Sequence, residues 1–321
     1  MKRVQNIIAY GLFTHEEVQA AKRSTINNKV NGAPENITPV IPFIKWLGGK
    51  TQLLLELRKR MPERIGTYVE PFVGGGALFF DVQPADAILN DVNPRLINLY
   101  VSVRSHKKEL VYRLSEYENE YNTLTSLDAK KDFYYQNRTE FNARGFETDL
   151  TVNDAAQFIF LNKANFNGLY RENGSGKYNA AFGWKECIRL FDEVNLCSCS
   201  AALKNVDIMN GDFEDACNSL SAGGDFVYFD PPYYSTFDGY QAGGFSEEDH
   251  MRLHNLFQHL SRIGVYCMLS NSNTDFIKNL YAGYNIDVVP VKRMINRNGS
   301  GRQGEEELII TNYKSNQIIQ L

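Results

Sequence analysis

The tightest constraint on this chain is the stretch DFVYFDPPYYST, residues 225–236. Phe226-Val227-Tyr228-Phe229 reads as a buried strand, and the two prolines behind Asp230 have no N–H to offer a neighbouring strand. The strand must therefore stop at Asp230. The most hydrophobic strand of the chain ends by presenting a carboxylate, a fixed kink and an aromatic ring together, as Asp230, Pro231, Pro232 and Tyr233.

The surroundings of that strand read as α/β. From Ile41 on, the helical run QLLLELRKRM is followed by a short strand in TYVEPF and a glycine turn at VGGGALFF. AILNDV is a second strand, and Pro94 opens a helix over PRLINLYVSV at its first turn. Strand, turn, helix, strand is the signature of a parallel sheet. Residues 105–200 differ: KKELVYRLSEYENEYNTL, KDFYYQNRTEFNAR and VNDAAQFIFLNKANF are helix-length and polar-faced, which predicts a helical insert forming a second small domain. From about Val206 the α/β pattern returns, with strands in DIMNGDF, DFVYFDPP, VYCMLSNS, NIDVVPVKRM and EEELIITNYK. A helix over SEEDHMRLHNLFQHLSRI starts from Ser246, with Asp249 at the capping-box position. The expected organisation is a sheet domain over 39–104 and 201–321, a helical domain over 105–200, and an N-terminal extension over 1–38.

With 321 residues, 43% apolar and 22% charged, the chain has the make-up of a soluble globular protein with a proper core. A net charge of −4 argues against nucleic-acid binding by bulk charge, but leaves room for a local basic face. The N-terminal apolar run meets acids at Glu16 and Glu17, unlike a signal peptide. No window approaches the roughly 18 apolar residues of a membrane span, so a cytoplasmic location is expected. Cys187, Cys197, Cys199, Cys217 and Cys267 fit no zinc spacing and read as reduced structural thiols.

Three pieces carry chemistry. In YVEPFVGGGALFF, Gly74, Gly75 and Gly76 follow a strand and precede a helix, so backbone can come close to a ligand. Asp91 ends the next strand, where an acid can accept hydrogen bonds from ribose hydroxyls. The same residues also describe a glycine turn with a helix-capping acid, and this element alone does not choose. In FIKWLGGKT, the GGKT invites a phosphate-binding loop, but Ile44 stands where that motif needs glycine. What is left is Trp46, which could pack on a flat ligand or sit in the core, and Lys50, which could meet a carboxylate or solvent. At the strand end, Asp230 and the Pro231 carbonyl can both accept from one exocyclic amine, which localises its lone pair, while Tyr233 offers a ring for stacking. That is what attack by a poor nitrogen nucleophile requires.

KWLGGK, VEPFVGGGALFF, LNDVN, FNGLYRENGSGKYN and FDPPY occur here in the order found in DNA adenine-N6 methyltransferases of the Dam type, and the chain resembles that family from about Phe43 to Tyr313. The resemblance implies a Rossmann-like S-adenosylmethionine-dependent sheet with an inserted helical target-recognition domain. It implies that Trp46, Lys50, Phe72, Gly74 and Gly76 line S-adenosylmethionine, that Asp91 holds its ribose, and that Asp212 and Phe213 border its adenine. Asp230 would touch both cofactor and target base, with Pro231, Pro232 and Tyr233 completing the reacting group. The adenine would be flipped out of duplex DNA, and no metal is needed because the leaving group is a cationic sulfur. The resemblance further implies that Phe166 enters the gap left by the base. Asn167, Leu169 and Arg171 would lie in the recognition segment, and Lys45 would contact the guanine before the target. One departure is Ala181, where some relatives carry proline for a thymine contact. Lys292, Arg293, Arg297 and Arg302 read as a hairpin gripping phosphate, or as a solvated turn.

The function expected is site-specific methylation of adenine N6 at GATC or another GA-containing site, with double-stranded DNA as partner. A cognate restriction endonuclease is a further expected partner, and the chain is expected as a monomer or weak dimer. Two alternatives stay open: amino methylation of cytosine N4 or RNA adenine, and a DNA-binding module that no longer turns over. His250 and His254, spaced i and i+4, lack the glutamate of a zinc protease and read as surface or interface residues. Glu305–Glu307 read as a charge boundary before the last strand.

Overall fold

The computed structural model describes residues 40–144, 149–220, 224–234, 245–291 and 305–314. The N-terminal extension over 1–38 lies outside the described residues, as do Lys292, Arg293, Arg297 and Arg302.

Phe226–Phe229 forms strand β4, buried at all four positions because it has a parallel neighbour on each side. These neighbours are β1 (Tyr68–Glu70) and β5 (Tyr266–Ser272). Beyond β1 lie β2 (Ala87–Asp91) and β3 (Val206–Asn210), both parallel. Beyond β5 comes β7 (Glu305–Thr311), antiparallel to β5 and to the outermost strand, β6 (Asn285–Val291). Among the described residues the seven strands run in the order β3-β2-β1-β4-β5-β7-β6. The direction of winding reverses between β1 and β4, and the crevice outside the carboxyl ends of such a strand pair is where open α/β sheets bind ligands. Asp230 leaves β4 into that crevice.

Helices cover both faces: α1 (Leu54–Arg60), α2 (Ala77–Val82), α3 (Pro94–Ser105), α4 (Lys107–Thr123), α5 (Leu127–Ala143), α6 (Val152–Ala164), α7 (Glu193–Ala202), α8 (Glu247–Arg262) and α9 (Asp275–Leu280). Pro94 takes the first position of α3, where its missing N–H costs nothing, and the Asn93 side chain accepts from the N–H groups of Arg95 and Leu96. The predicted cap of α8 is present, Ser246 and Asp249 exchanging hydrogen bonds at the helix start. Thr151 and Asp154 do the same for α6, and Arg144 clasps Asp154 at 2.6 Å. α6 is buried at nearly every position because α3, α4 and α5 all pack against it.

Two apolar clusters divide the molecule. One joins Tyr68, Phe226 and Met268 on the sheet to Tyr100, Phe158, Phe160 and Phe182, so α4 to α7 share a continuous core with that face. The other holds Val69, Val227 and Phe229 against Leu253, Phe257 and Ile277 from α8 and α9. Between α6 and α7 the chain makes a hairpin-like excursion, pinned by bridges Asn165–Phe182 and Glu172–Tyr178. Among the described residues no helix is long and apolar enough to cross a membrane, and all five cysteines are free.

Candidate active site

The carboxyl ends of β1, β4 and β5 assemble a group of acids and phenols around one lysine. Asp230 Oδ1 lies 2.9 Å from Lys50 Nζ, with about one fifth of the Asp230 side chain still exposed. Burial pushes the Asp230 carboxyl up to about 6, against the pull of the Lys50 ammonium. The same ammonium stands 4.6 Å from the centre of the Tyr233 ring, and Tyr233 donates its hydroxyl to Glu307 Oε2 at 2.6 Å. Lys50 thus bridges the two residues that the sequence singles out for chemistry. Pro231 is buried, Pro232 exposed and Tyr233 half-buried. The backbone beyond them is tied to β5: Tyr234 N donates to Asn271 Oδ1 at 3.1 Å, and Ser272 Oγ donates to the Tyr234 carbonyl.

A second buried acid, Glu70, ends β1. It accepts from the Tyr68 hydroxyl and, at 2.9 Å, from the N–H of Phe79 in the first turn of α2. Burial raises it to about 8, with the nearby Asp230 charge adding to the shift. At neutral pH Glu70 therefore keeps its proton.

The glycine loop is shaped by protein packing. Gly74 and Gly76 have φ of 48° and 67°, and a Cβ on Gly74 would stand 2.8 Å from Trp46 Cδ1. A Cβ on Gly76 would stand 2.6 Å from the Tyr100 hydroxyl, so side chains at either position are excluded. Asp91 holds this loop: its carboxylate accepts from Gly74 N at 3.1 Å and Asn93 N at 2.9 Å. Burial outweighs these two donors and lifts Asp91 to about 6. Asn90 ties the loops together by donating to the carbonyls of Pro71 and Gly211, each at 3.0 Å.

Beside Asp91 an aromatic wall forms. Phe72 stacks on Phe213 at 5.3 Å, and Phe245 closes edge-on to Phe72 at 5.7 Å. Asp212, next to Phe213, pairs with Arg252 at 3.0 Å, and Arg252 also lies over the Phe213 ring. His250 packs against Phe245 at 4.7 Å and is buried. The expectation of a surface or interface position fails for His250, because α8 turns it inward with Leu253, Phe257 and Leu260, whereas His254 is half-buried. Burial holds its imidazole down at about 4.

Trp46 links this group to the hairpin-like excursion. One side of Trp46 meets Gly74 and Gly75, and Tyr170 stacks on it at 5.0 Å. Lys45 Nζ donates to the Asn167 carbonyl at 2.9 Å, and Asn162 donates to the Lys45 carbonyl at 3.1 Å. Phe166, Asn167 and Arg171 are exposed, with Phe166 at 63%, and Leu169 is half-buried. Arg171 is oriented by Asn179 Oδ1 at 3.0 Å.

Sequence reasoning missed Glu70, Asn90 and Glu307. The acid in YVEPF had a signal, a carboxylate closing a strand at the glycine turn. Glu307 had none, since three acids before a strand look solvated, yet Glu307 is buried.

The model of the D12 class N6 adenine-specific DNA methyltransferases matches residues 46–295. The chain belongs to that family. As a D12-class methyltransferase it is 42% identical over 290 residues to the Type II methyltransferase M.MjaIII of Methanocaldococcus jannaschii, an alignment covering 85% of this chain and 99% of that one. It is 37% identical over 279 residues to the Type II methyltransferase M1.LlaDCHI of Lactococcus lactis subsp. cremoris, covering 85% and 95%. Against a DNA adenine methylase of Vibrio cholerae the identity is 28% over 274 residues, covering 83% and 94%. The D12-class enzyme is thus an adenine-specific DNA methyltransferase with a seven-stranded mixed α/β sheet.

Proposed function

We propose that this methyltransferase transfers a methyl group from S-adenosylmethionine to N6 of an adenine flipped out of duplex DNA, at GATC or a related GA-containing site. The observation that carries the reading is the end of β4. Asp230, the Pro231 carbonyl and the Tyr233 ring stand together at the switch point of the sheet.

The residues present suit the methyl donor. Phe72 and Phe213 offer a stacked wall to a purine, Asp212 a carboxylate beside it, and Asp91 lone pairs for ribose hydroxyls. Trp46 and the Gly74–Gly76 loop complete the lining, and Lys50 supplies an ammonium for a carboxylate. When bound, S-adenosylmethionine supplies a methyl on a cationic sulfur, so neither a metal nor a strong base is required.

The chain then acts by positioning. With its carboxyl at about 6, Asp230 is ionised at neutral pH and accepts one N6–H. The Pro231 carbonyl accepts the other, which draws the nitrogen lone pair out of the ring. Tyr233 stacks on the base. Once N6 carries the methyl group it is cationic, and Asp230 takes the proton it sheds.

Flipping costs roughly a few kcal/mol. Phe166, exposed and apolar, is suited to enter the vacated stack, and Lys45, Asn167, Leu169 and Arg171 would face the bases. The helical region 105–200 would thus serve as the target-recognition domain. Lys292, Arg293, Arg297 and Arg302 would grip phosphate: they lie between β6 and β7, whose adjoining ends, Val291 and Glu305, pair at the same sheet edge as Asp230. The Type II names of two relatives favour a restriction endonuclease as cognate partner.

The test is methyl transfer from labelled S-adenosylmethionine to unmethylated duplex DNA, with wild type beside Asp230→Ala. Wild type should yield N6-methyladenine within GATC or another GA-containing site, and the variant should be slower by about 10²-fold or more. Methyl on cytosine, or no transfer despite cofactor and DNA binding, would overturn the reading.

A further inference from the structure

The loop after β4 is held at its backbone but not, by that alone, at its ring. Pro231 and Pro232 restrict the chain, and Asn271 and Ser272 of β5 clamp Tyr234 on both its N–H and its carbonyl. The Tyr233 side chain keeps two torsions of its own. A ring that is to be a stacking platform must have its place set before a base arrives, or the ordering cost falls on the reacting complex.

Glu307 meets that need from a distant part of the chain. It sits near the start of β7, opposite Ser272 on β5 and Val289 on β6. Because β7 runs antiparallel to β5, its first residues reach the sheet edge where Asp230 and Tyr233 emerge. Glu307 is buried there, and its Oε2 accepts the Tyr233 hydroxyl at 2.6 Å, within the range of charge-assisted hydrogen bonds. A buried carboxylate keeps its place only with donors of this kind.

We infer that Glu307 is a positioning residue for methyl transfer: by anchoring the phenol tip it fixes the direction in which the Tyr233 ring, on which the target base stacks, leaves the backbone. The inference rests on the function proposed above. It assigns a role to an acid that the sequence read only as part of a charge boundary.

The test is a mutant cycle on methylation of duplex DNA, read as kcat and as KM for S-adenosylmethionine, with 2-aminopurine at the target position reporting base stacking. Glu307→Leu should lower kcat about tenfold with KM unchanged. The same variant should leave 2-aminopurine brighter, because an unstacked base is less quenched. Glu307→Gln retains an acceptor and should lower kcat no more than about threefold. In the Tyr233→Phe background, which has no hydroxyl to hold, Glu307→Leu should change kcat less than about twofold. Should Glu307→Leu fail to fold, Tyr233→Phe with Glu307→Gln carries the cycle, and the Gln effect should vanish in the Phe background. Equal losses from Glu307 substitution in both backgrounds would overturn the inference while leaving the reaction intact. Absence of transfer by the wild type would instead overturn the function on which it rests.

Discussion

Lys50→Met removes the ammonium 2.9 Å from Asp230 while keeping a stem of similar length. With that ammonium present, Asp230 titrates at about 6, raised by burial and lowered by Lys50. Hydrogen bonds to charged groups contribute about 1.5–3 kcal/mol, which at about 1.4 kcal/mol per unit is about 1–2 pKa units. The variant should therefore move Asp230 to between about 7 and about 8. At pH 7 the ionised fraction would fall from about nine tenths to between about a half and a tenth. The ionised form is the stronger acceptor for N6–H and alone can take up the shed proton, so the acid limb of the pH profile should shift upward by the same amount. The measurement is kcat/KM for duplex DNA at saturating S-adenosylmethionine, from pH 5 to about pH 9. The fold deficit of the variant should be largest at the acid end, about tenfold to a hundredfold at pH 5, and should close by about pH 9. An acid limb at the same pH in both proteins, or a deficit that is constant across the range, would refute the electrostatic coupling of Lys50 to Asp230.

Glu70 makes stability depend on pH in the opposite sense to an ordinary paired carboxylate. Its folded value of about 8 lies above the usual 4.5, so the native state retains a proton that the unfolded chain has released. Thermal stability should fall as pH rises from about 5 to about 8, and Glu70→Gln should flatten most of that slope. Gly74→Ala forces a side chain into a positive φ and against Trp46, and urea denaturation should show a loss of about 1–3 kcal/mol. Phe72→Ala removes the stack on Phe213 and should raise KM for S-adenosylmethionine about tenfold while leaving DNA affinity unchanged. Phe166→Ala should leave the melting temperature within about a degree, because the ring is exposed, but slow methylation of duplex DNA about tenfold more than of a substrate mismatched at the target.

Local chemistry made much of this molecule legible before its structure. Phe226–Phe229 could only be a strand, Pro94 could only begin a helix, and Ser246 with Asp249 marked a cap. That Asp230, Tyr233 and Lys50 share one site was implied only by the family resemblance, and the pairing of Lys50 with Asp230 belongs to the structure. What stayed hidden depends on contacts across large sequence separations. Glu307 acquires its partner only because β7 slips between β5 and β6, seventy-four positions from Tyr233. Trp46 stacks on Tyr170 because the excursion after α6 folds back over the glycine loop, which no spacing near Trp46 encodes. His250 was within reach, since 250, 253, 257 and 260 repeat at helical spacing on one face.

The place of β7 also sets an order of events during synthesis. It follows every other strand among the described residues, yet it lies inside the sheet, paired with β5 on one side and β6 on the other. Until residues 305–311 leave the ribosome, β5 has an open edge and β6 has nothing to pair with. A nascent chain halted before that point would expose an apolar strand edge of the kind that recruits other chains into aggregates. It would also lack Glu307, so the ring beside Asp230 would gain its hydrogen-bond acceptor only when the sheet closes.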